Sequence, residues 1–333
     1  MLKYCSSPWD TVHINFSGQV SSCFCSGFHR KKPIGSIVYS SLAKLIESDS
    51  QQEFRNSIID QTFKYCREDK CVDFYRMKDV DDFSFVPNQP TLPTTIQLQI
   101  DLTCNLKCAI CRTKNMYSPD AQPLAVSVLN RLVEEYQTFE HKVNIHCDGS
   151  GEVFASQAYL DFFNRNDLPK CFHFNIQSNG NLITKNSDLI TRLSPQIEMV
   201  EISLDAATDE TYKQLRGGNL SIVLKGIELL KNLGITVWTQ YIIQSGNYKE
   251  IPAYIKLCKE LGVDRICLQS MNRYPHMANS WWDENKIENN PNVDLPALID
   301  IITEIKQDPI IEVSGGIEYL LLQQRIIPIE RIV

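Results

Sequence analysis

Apolar and polar residues alternate over residues 95–102 (TIQLQIDL), the period of a half-buried strand. Leu129, Leu132, Val133 and Tyr136 then recur at helical spacing, and the two periods keep exchanging along the chain. Further strands are predicted over 143–147, 172–177, 199–204, 236–243 and 265–269. Helices are predicted between them. Ile251, Tyr254, Ile255 and Cys258 stand at i, i+3, i+4 and i+7, and the 220–232 segment is followed by Gly234 as a C-cap. Six βα repeats predict parallel strands with right-handed crossovers, hence an α/β fold closing into a partial (β/α)6 barrel. Chemistry in such folds sits at the C-terminal ends of the strands.

Ahead of the barrel, residues 8–20 alternate strongly and turn at Gly18, and 41–47 reads as a helix. Three prolines at Pro87, Pro90 and Pro93 mark an extended linker. The expected organisation is an N-terminal module over 1–86, a linker over 87–94 and the barrel over 95–333. Residues 272–296, rich in Asn, Pro and Trp, read as a long loop in which Trp281 and Trp282 are packing anchors.

A formal charge of −7 speaks against nucleic acid as the main partner, since binding phosphates needs a basic surface. The start lacks the apolar core of a signal peptide and no apolar run approaches a membrane span, so the chain reads as cytoplasmic with no membrane partner. Twelve cysteines in a chain of that kind point to metal or redox chemistry rather than disulfides. Four of them, Cys147, Cys171, Cys258 and Cys267, are scattered and read as small buried hydrophobes.

Cys104, Cys108 and Cys111 form a C-x3-C-x2-C triplet directly after the first barrel strand. Three thiolates on one short loop can bind three irons of a cubane and leave the fourth open to an outside ligand. A structural zinc site would need a fourth closed ligand, and no further cysteine or histidine lies near. The triplet, with apolar Ile110 before its third cysteine, resembles the signature of the radical S-adenosylmethionine superfamily. That resemblance implies a [4Fe–4S] cluster whose open iron chelates S-adenosylmethionine. It also implies reductive cleavage of that cofactor to a 5′-deoxyadenosyl radical, which abstracts hydrogen from a substrate.

Other segments carry the same resemblance. Gly149-Ser150-Gly151-Glu152 is similar to the family's Gly-Gly-Glu motif, which implies Gly149 and Gly151 as close backbone contacts and Glu152 as the acceptor of the cofactor ammonium. Val200–Asp205 resembles the ribose-contacting segment, through Ser203 or Asp205. Leu215-Arg216-Gly217-Gly218 resembles a Leu-Arg-Gly-Gly stretch of many members, and Arg216 would pair with the cofactor carboxylate. Asn179 and Asn247 are further candidates for this pocket.

In the N-terminal module, Cys5, Gly18 and Cys23 resemble the Cys…Gly-x4-Cys opening of SPASM and twitch domains, and Cys66-x4-Cys71 resembles their closing pair. This implies a second, auxiliary [4Fe–4S] cluster on Cys5, Cys23, Cys66 and Cys71, with Cys25 in reserve. A zinc-stapled module on the same cysteines is the alternative. Such modules usually follow the barrel, and here it comes first. A hydrogen-atom donor, if the reaction uses one, would be Cys267 or Cys147, each near a strand end. Priming implies a flavodoxin or ferredoxin-type electron donor, docking at Lys107, Arg112 and Lys114 or at His29-Arg30-Lys31-Lys32. Relatives with this module modify peptides or act on sugars, nucleosides and aminoglycosides. Oxidation, cross-linking or epimerisation of a peptide or natural-product precursor is the favoured reading. A sugar or nucleoside oxidoreductase or epimerase, and a non-catalytic iron–sulfur or zinc scaffold, are the alternatives.

Overall fold

A computed structural model describes residues 2–23, 33–66, 78–81, 92–112, 117, 119–147, 151–273, 277–288, 290–314 and 317. Cys25, Cys71, Gly149, Lys114, the 29–32 basic run and most of the proline-rich stretch lie outside them. The strands are β1 (Leu2–Tyr4), β2 (Thr11–Asn15), β3 (Gln19–Ser21), β4 (Gly35–Ser36), β5 (Lys78–Val80), β6 (Thr95–Gln99), β7 (Val143–Cys147), β8 (Phe172–Ser178), β9 (Ile197–Ser203), β10 (Thr236–Ile243), β11 (Arg265–Ser270) and β12 (Ile311–Ser314). The chain divides into two compact units. One comprises Met1–Cys104, Met116–Ile176 and Pro195–Glu198, and the other Asn105–Asn115, Gln177–Ser194 and Met199–Val333.

In the first unit the strands run in the order β8–β7–β6–β2–β3–β4. Pairings of β8 with β7, β7 with β6 and β6 with β2 are parallel, and the β2–β3–β4 meander is antiparallel. Strand β2 of the N-terminal module thus extends the barrel sheet directly, with Thr11–Asn15 in register with Thr95–Gln99. Gly18 closes the first hairpin at φ +71°, a conformation L-residues rarely adopt. Strand β6 stops three residues short of the alternation in the sequence. The reason is Asp101, whose carboxylate accepts from the Thr103 N–H at 2.9 Å, Gln122 Nε2 at 2.5 Å and Ser156 Oγ at 2.5 Å. The helix Gln122–Tyr136 buries Ala125, Val128, Leu129, Leu132, Val133 and Tyr136. Each large apolar side chain taken from water contributes about 1.5–3 kcal/mol.

In the second unit β9, β10, β11 and β12 are parallel neighbours. The helix Leu220–Asn232 has the predicted bounds. Asn219 caps its start by accepting from the Ile222 N–H, and Gly234 follows its end at φ +73°. The helix Ile251–Glu260 buries the four residues its periodicity marks. Residues 272–296 are not one loop, since Asn279–Asn285 forms a helix there. Trp281 and Trp282 in that helix are half-buried. Strands and helices alternate through both units around parallel pairings, the pattern of an α/β partial barrel.

Candidate active site around the cysteine loop

In the first unit, the approach to Cys104 is braced by the glycine–glutamate turn. The Glu152 N–H donates to the Thr103 carbonyl at 2.7 Å. A Cβ on Gly151 would sit 2.5 Å from both the Asp101 and Thr103 carbonyl oxygens, so only glycine lets the two backbones meet. Glu152 is 2% exposed, and one carboxylate oxygen accepts from the Phe154 N–H at 3.2 Å.

In the second unit, three contacts fix the rest of the loop. Asn179 Nδ2 donates to Asn105 Oδ1 at 2.8 Å, the Ala109 N–H donates to the Leu215 carbonyl at 2.9 Å, and the Cys111 N–H donates to the Cys108 carbonyl at 3.0 Å. Cys108 is buried and Cys111 exposed, with Arg112 Nε and Nη2 each 3.3 Å from the Cys111 sulfur. Ile110 between them is half-buried.

Asp205 follows β9 at φ +57°, a left-handed conformation unusual for an aspartate. It is held on three sides. Its Oδ1 accepts from the Ile242 N–H at 2.6 Å, its carbonyl accepts from Asn247 Nδ2 at 2.9 Å, and its Oδ2 pairs with Arg216 Nη1 at 2.5 Å. Arg216 ends the helix Asp209–Arg216, which Thr208 caps and Gly217 closes at φ +72°. Burial works against the guanidinium charge, but Cys108 and Asp205 beside it more than offset this and raise its pKa. Its Nε is buried with no hydrogen-bond partner among the described residues. Tyr212, one turn earlier, has its hydroxyl pushed up to about 12, mainly by burial.

Gln244, just past β10, escaped the reading of the sequence. It is 1% exposed and neither side-chain amide atom has a partner among the described residues. Buried amides are nearly always paired, so an unpaired one at a strand's C-terminal end stands out. Its only signal in the sequence was that location.

The two cysteines named as hydrogen donors differ in setting. Cys147 shares the buried side of β7 with Val143 and Ile145. Cys267 lies on the face of β11 that carries Arg265 and Gln269, in register with Gln240 and Glu312. Burial, with Glu201 and Glu312 nearby, pushes its thiol up to about 12. Of the auxiliary set, Cys23 and Cys66 both pack on one apolar cluster of Tyr4, Trp9, Phe54 and Ile58. Cys5 adjoins the same cluster, adding after burial and Asp10 to what raises the Tyr4 hydroxyl.

Among the described residues, no three His, Cys, Asp or Glu side chains gather closely enough to hold a single metal ion. The donor chemistry nevertheless fits an iron–sulfur cluster with S-adenosylmethionine. The loop supplies thiolates alone, and Arg216 keeps an unspent donor beside Cys108.

Residues 101–258 match the family model of the radical SAM superfamily, and residues 5–72 match that of the SPASM iron–sulfur cluster-binding domain. The chain therefore carries a radical SAM domain preceded by a SPASM domain. Iron–sulfur clusters of the [4Fe–4S] type and S-adenosylmethionine are the cofactors that go with these domains. A probable GTP 3′,8-cyclase of Methanococcus aeolicus is 22% identical over 206 residues, 58% of this chain and 65% of that protein. A GTP 3′,8-cyclase of Alkaliphilus metalliredigens is 25% identical over 217 residues, 63% of this chain and 66% of that protein. The chain spans less than two thirds of the length of either. Among solved structures, Streptococcus suis SuiB bound to S-adenosylmethionine covers 82% of this chain and 63% of its own, at 14% identity and a TM-score of 0.47. No helix among the described residues is long and apolar enough to cross a membrane.

Proposed function

We propose that this chain is a radical SAM enzyme in which Cys104, Cys108 and Cys111 hold the cofactor-binding cluster. The observation that carries the reading is Arg216, buried beside Cys108, paired through Nη1 with Asp205 and with Nε unspent. A guanidinium so fixed presents a planar fork to a carboxylate. Glu152, of the glycine–glutamate turn, is the residue offered to an ammonium. Ser203 or Asp205 would contact the ribose hydroxyls, Asp205 being held in place by its bonds to Arg216 and the Ile242 N–H. When bound, the cluster and S-adenosylmethionine supply a 5′-deoxyadenosyl radical able to take hydrogen from an unactivated C–H bond.

Cys5, Cys23, Cys66 and Cys71 would hold the auxiliary cluster, in a module over residues 1–86 joined through 87–94 to a barrel over 95–333. Cys267 is the hydrogen-donor candidate, because it shares a face with polar residues and burial keeps its thiol protonated. Lys107, exposed beside the triplet, and Arg112 offer cations to an acidic electron donor. The substrate reading is a peptide or related precursor, modified by oxidation, cross-linking or epimerisation. A nucleotide is the second reading, favoured by the names of the relatives. Electron paramagnetic resonance of the reduced protein tests the cofactor assignment. Adding S-adenosylmethionine shifts the cluster signal, and an unchanged signal would reject it.

A further inference from the structure

The turn that carries Cys111 also fixes a cation against it. The N–H groups of Cys111 and Arg112 both donate to the Cys108 carbonyl, at 3.0 Å and 3.2 Å, which closes the loop and sets Arg112 beside its neighbour's side chain. Arg112 then directs two donors, Nε and Nη2, onto the Cys111 sulfur, each at 3.3 Å. A guanidinium grips carboxylates with parallel N–H groups of this kind, and here two of them converge on one sulfur. Cys111 is exposed and Arg112 half-buried, so the pair lies on the side of the loop that an outside electron donor can reach.

The buried sulfur of the loop stands in a different setting. The Ala109 N–H bonds the Leu215 carbonyl at 2.9 Å, and a Cβ on Gly217 would stand 3.8 Å from the Lys107 carbonyl oxygen. Residues 107–109 therefore lie against 215–217, with Cys108 opposite Arg216. That guanidinium shares its charge with Asp205 through Nη1 at 2.5 Å. The potential of an iron–sulfur cluster depends on net charge, solvent exposure and hydrogen bonds to its sulfurs. One-electron reduction adds a negative charge and breaks no bond, so donors aimed at a ligating sulfur favour the reduced form.

We infer that Arg112 is a potential-setting residue, whose two N–H···S bonds to Cys111 raise the reduction potential of the cluster on the triplet and ease its loading by a flavodoxin or ferredoxin-type donor. The inference rests on the cluster assignment above and adds the residue that governs priming. It gives Arg112 a use separate from docking, for which Lys107 serves as the control.

The full chain with its clusters in place is titrated anaerobically with dithionite and mediators, without S-adenosylmethionine, and followed by electron paramagnetic resonance. The signal read is the one that S-adenosylmethionine shifts in a parallel sample, which separates it from the auxiliary cluster. Arg112→Gln lowers the midpoint by about 59 mV, a tenfold loss in the one-electron equilibrium constant. Arg112→Lys keeps the charge but cannot offer two bonds in one plane, and its midpoint falls part of the way. Lys107 is exposed on the same loop and bonds no sulfur among the described residues, so Lys107→Gln moves the midpoint less than half as far. Should Arg112→Gln not take up iron, Arg112→Lys decides alone. A wild-type midpoint in either Arg112 variant, or a fall in Lys107→Gln as large as in Arg112→Gln, would overturn the inference. In those cases the S-adenosylmethionine shift persists, whereas its absence from the wild type would reject the cluster assignment itself.

Discussion

Gly151→Ala is the perturbation that bears most sharply on how the site is built. The added Cβ meets two carbonyl oxygens at 2.5 Å and the Leu102 carbonyl carbon at 3.1 Å, all backbone atoms. Backbone cannot swing aside as a side-chain tip can, so the turn must move off the cysteine loop. Overpacking of this kind costs about 1–3 kcal/mol, and weakening the Glu152 N–H bond to Thr103 adds about 1 kcal/mol. The lower entropy of the unfolded alanine chain returns about 0.4–1 kcal/mol. A net loss of about 2–3 kcal/mol follows, or roughly 4–6 °C in Tm at about 2 °C per kcal/mol. Gly246→Ala is the control, since its nearest neighbour is 4.0 Å away. Both variants are melted anaerobically, and S-adenosylmethionine affinity is measured by equilibrium dialysis. Gly151→Ala should lose stability and affinity together, and Gly246→Ala neither. A Gly151→Ala protein that melts and binds like the wild type would refute the close-approach argument.

Four further outcomes are expected. Asp205→Asn leaves Arg216 buried without its carboxylate and should cost about 3–5 kcal/mol in urea unfolding. Cys267 should resist iodoacetamide at pH 8 while exposed Cys111 reacts, as peptide mapping of the cluster-free protein would show. Its thiol is raised from 9.0 to about 12, so between those values the folded state keeps a proton the unfolded chain has shed. Stability therefore falls as pH rises from 9 toward 12, and Cys267→Ala should flatten that part of a pH–stability profile. Cys66→Ala should halve the iron of the reconstituted protein, because it removes a thiol from the apolar cluster that Cys23 shares.

The barrel strands were most legible where they alternate cleanly, as Thr95–Gln99, Val143–Cys147 and Phe172–Ser178 do. Thr236–Ile243 and Val143–Cys147 have the predicted bounds, and the helix Leu220–Asn232 carries both a cap and a terminal glycine. Local chemistry invisible to periodicity set the differences. Asp101 gathers three donors and ends β6 early, and Asn279–Asn285 is a helix without an apolar stripe to announce it. The pairing of β2 with β6 joins residues some eighty positions apart, which no local pattern reports. At the site, motifs pointed to Glu152, Asp205 and Arg216. The left-handed backbone of Asp205, and the Gln244 amide and His13 Nε2 that have no partner among the described residues, come from packing and could be read only from the fold.

The most direct test of the central claim is 5′-deoxyadenosine release from the anaerobic, dithionite-reduced protein supplied with S-adenosylmethionine. Wild-type protein should release it, and Cys108→Ala, which removes the buried thiolate beside Arg216, should release none. Equal release from Cys108→Ala, or none from the wild type with its clusters intact, would contradict the account.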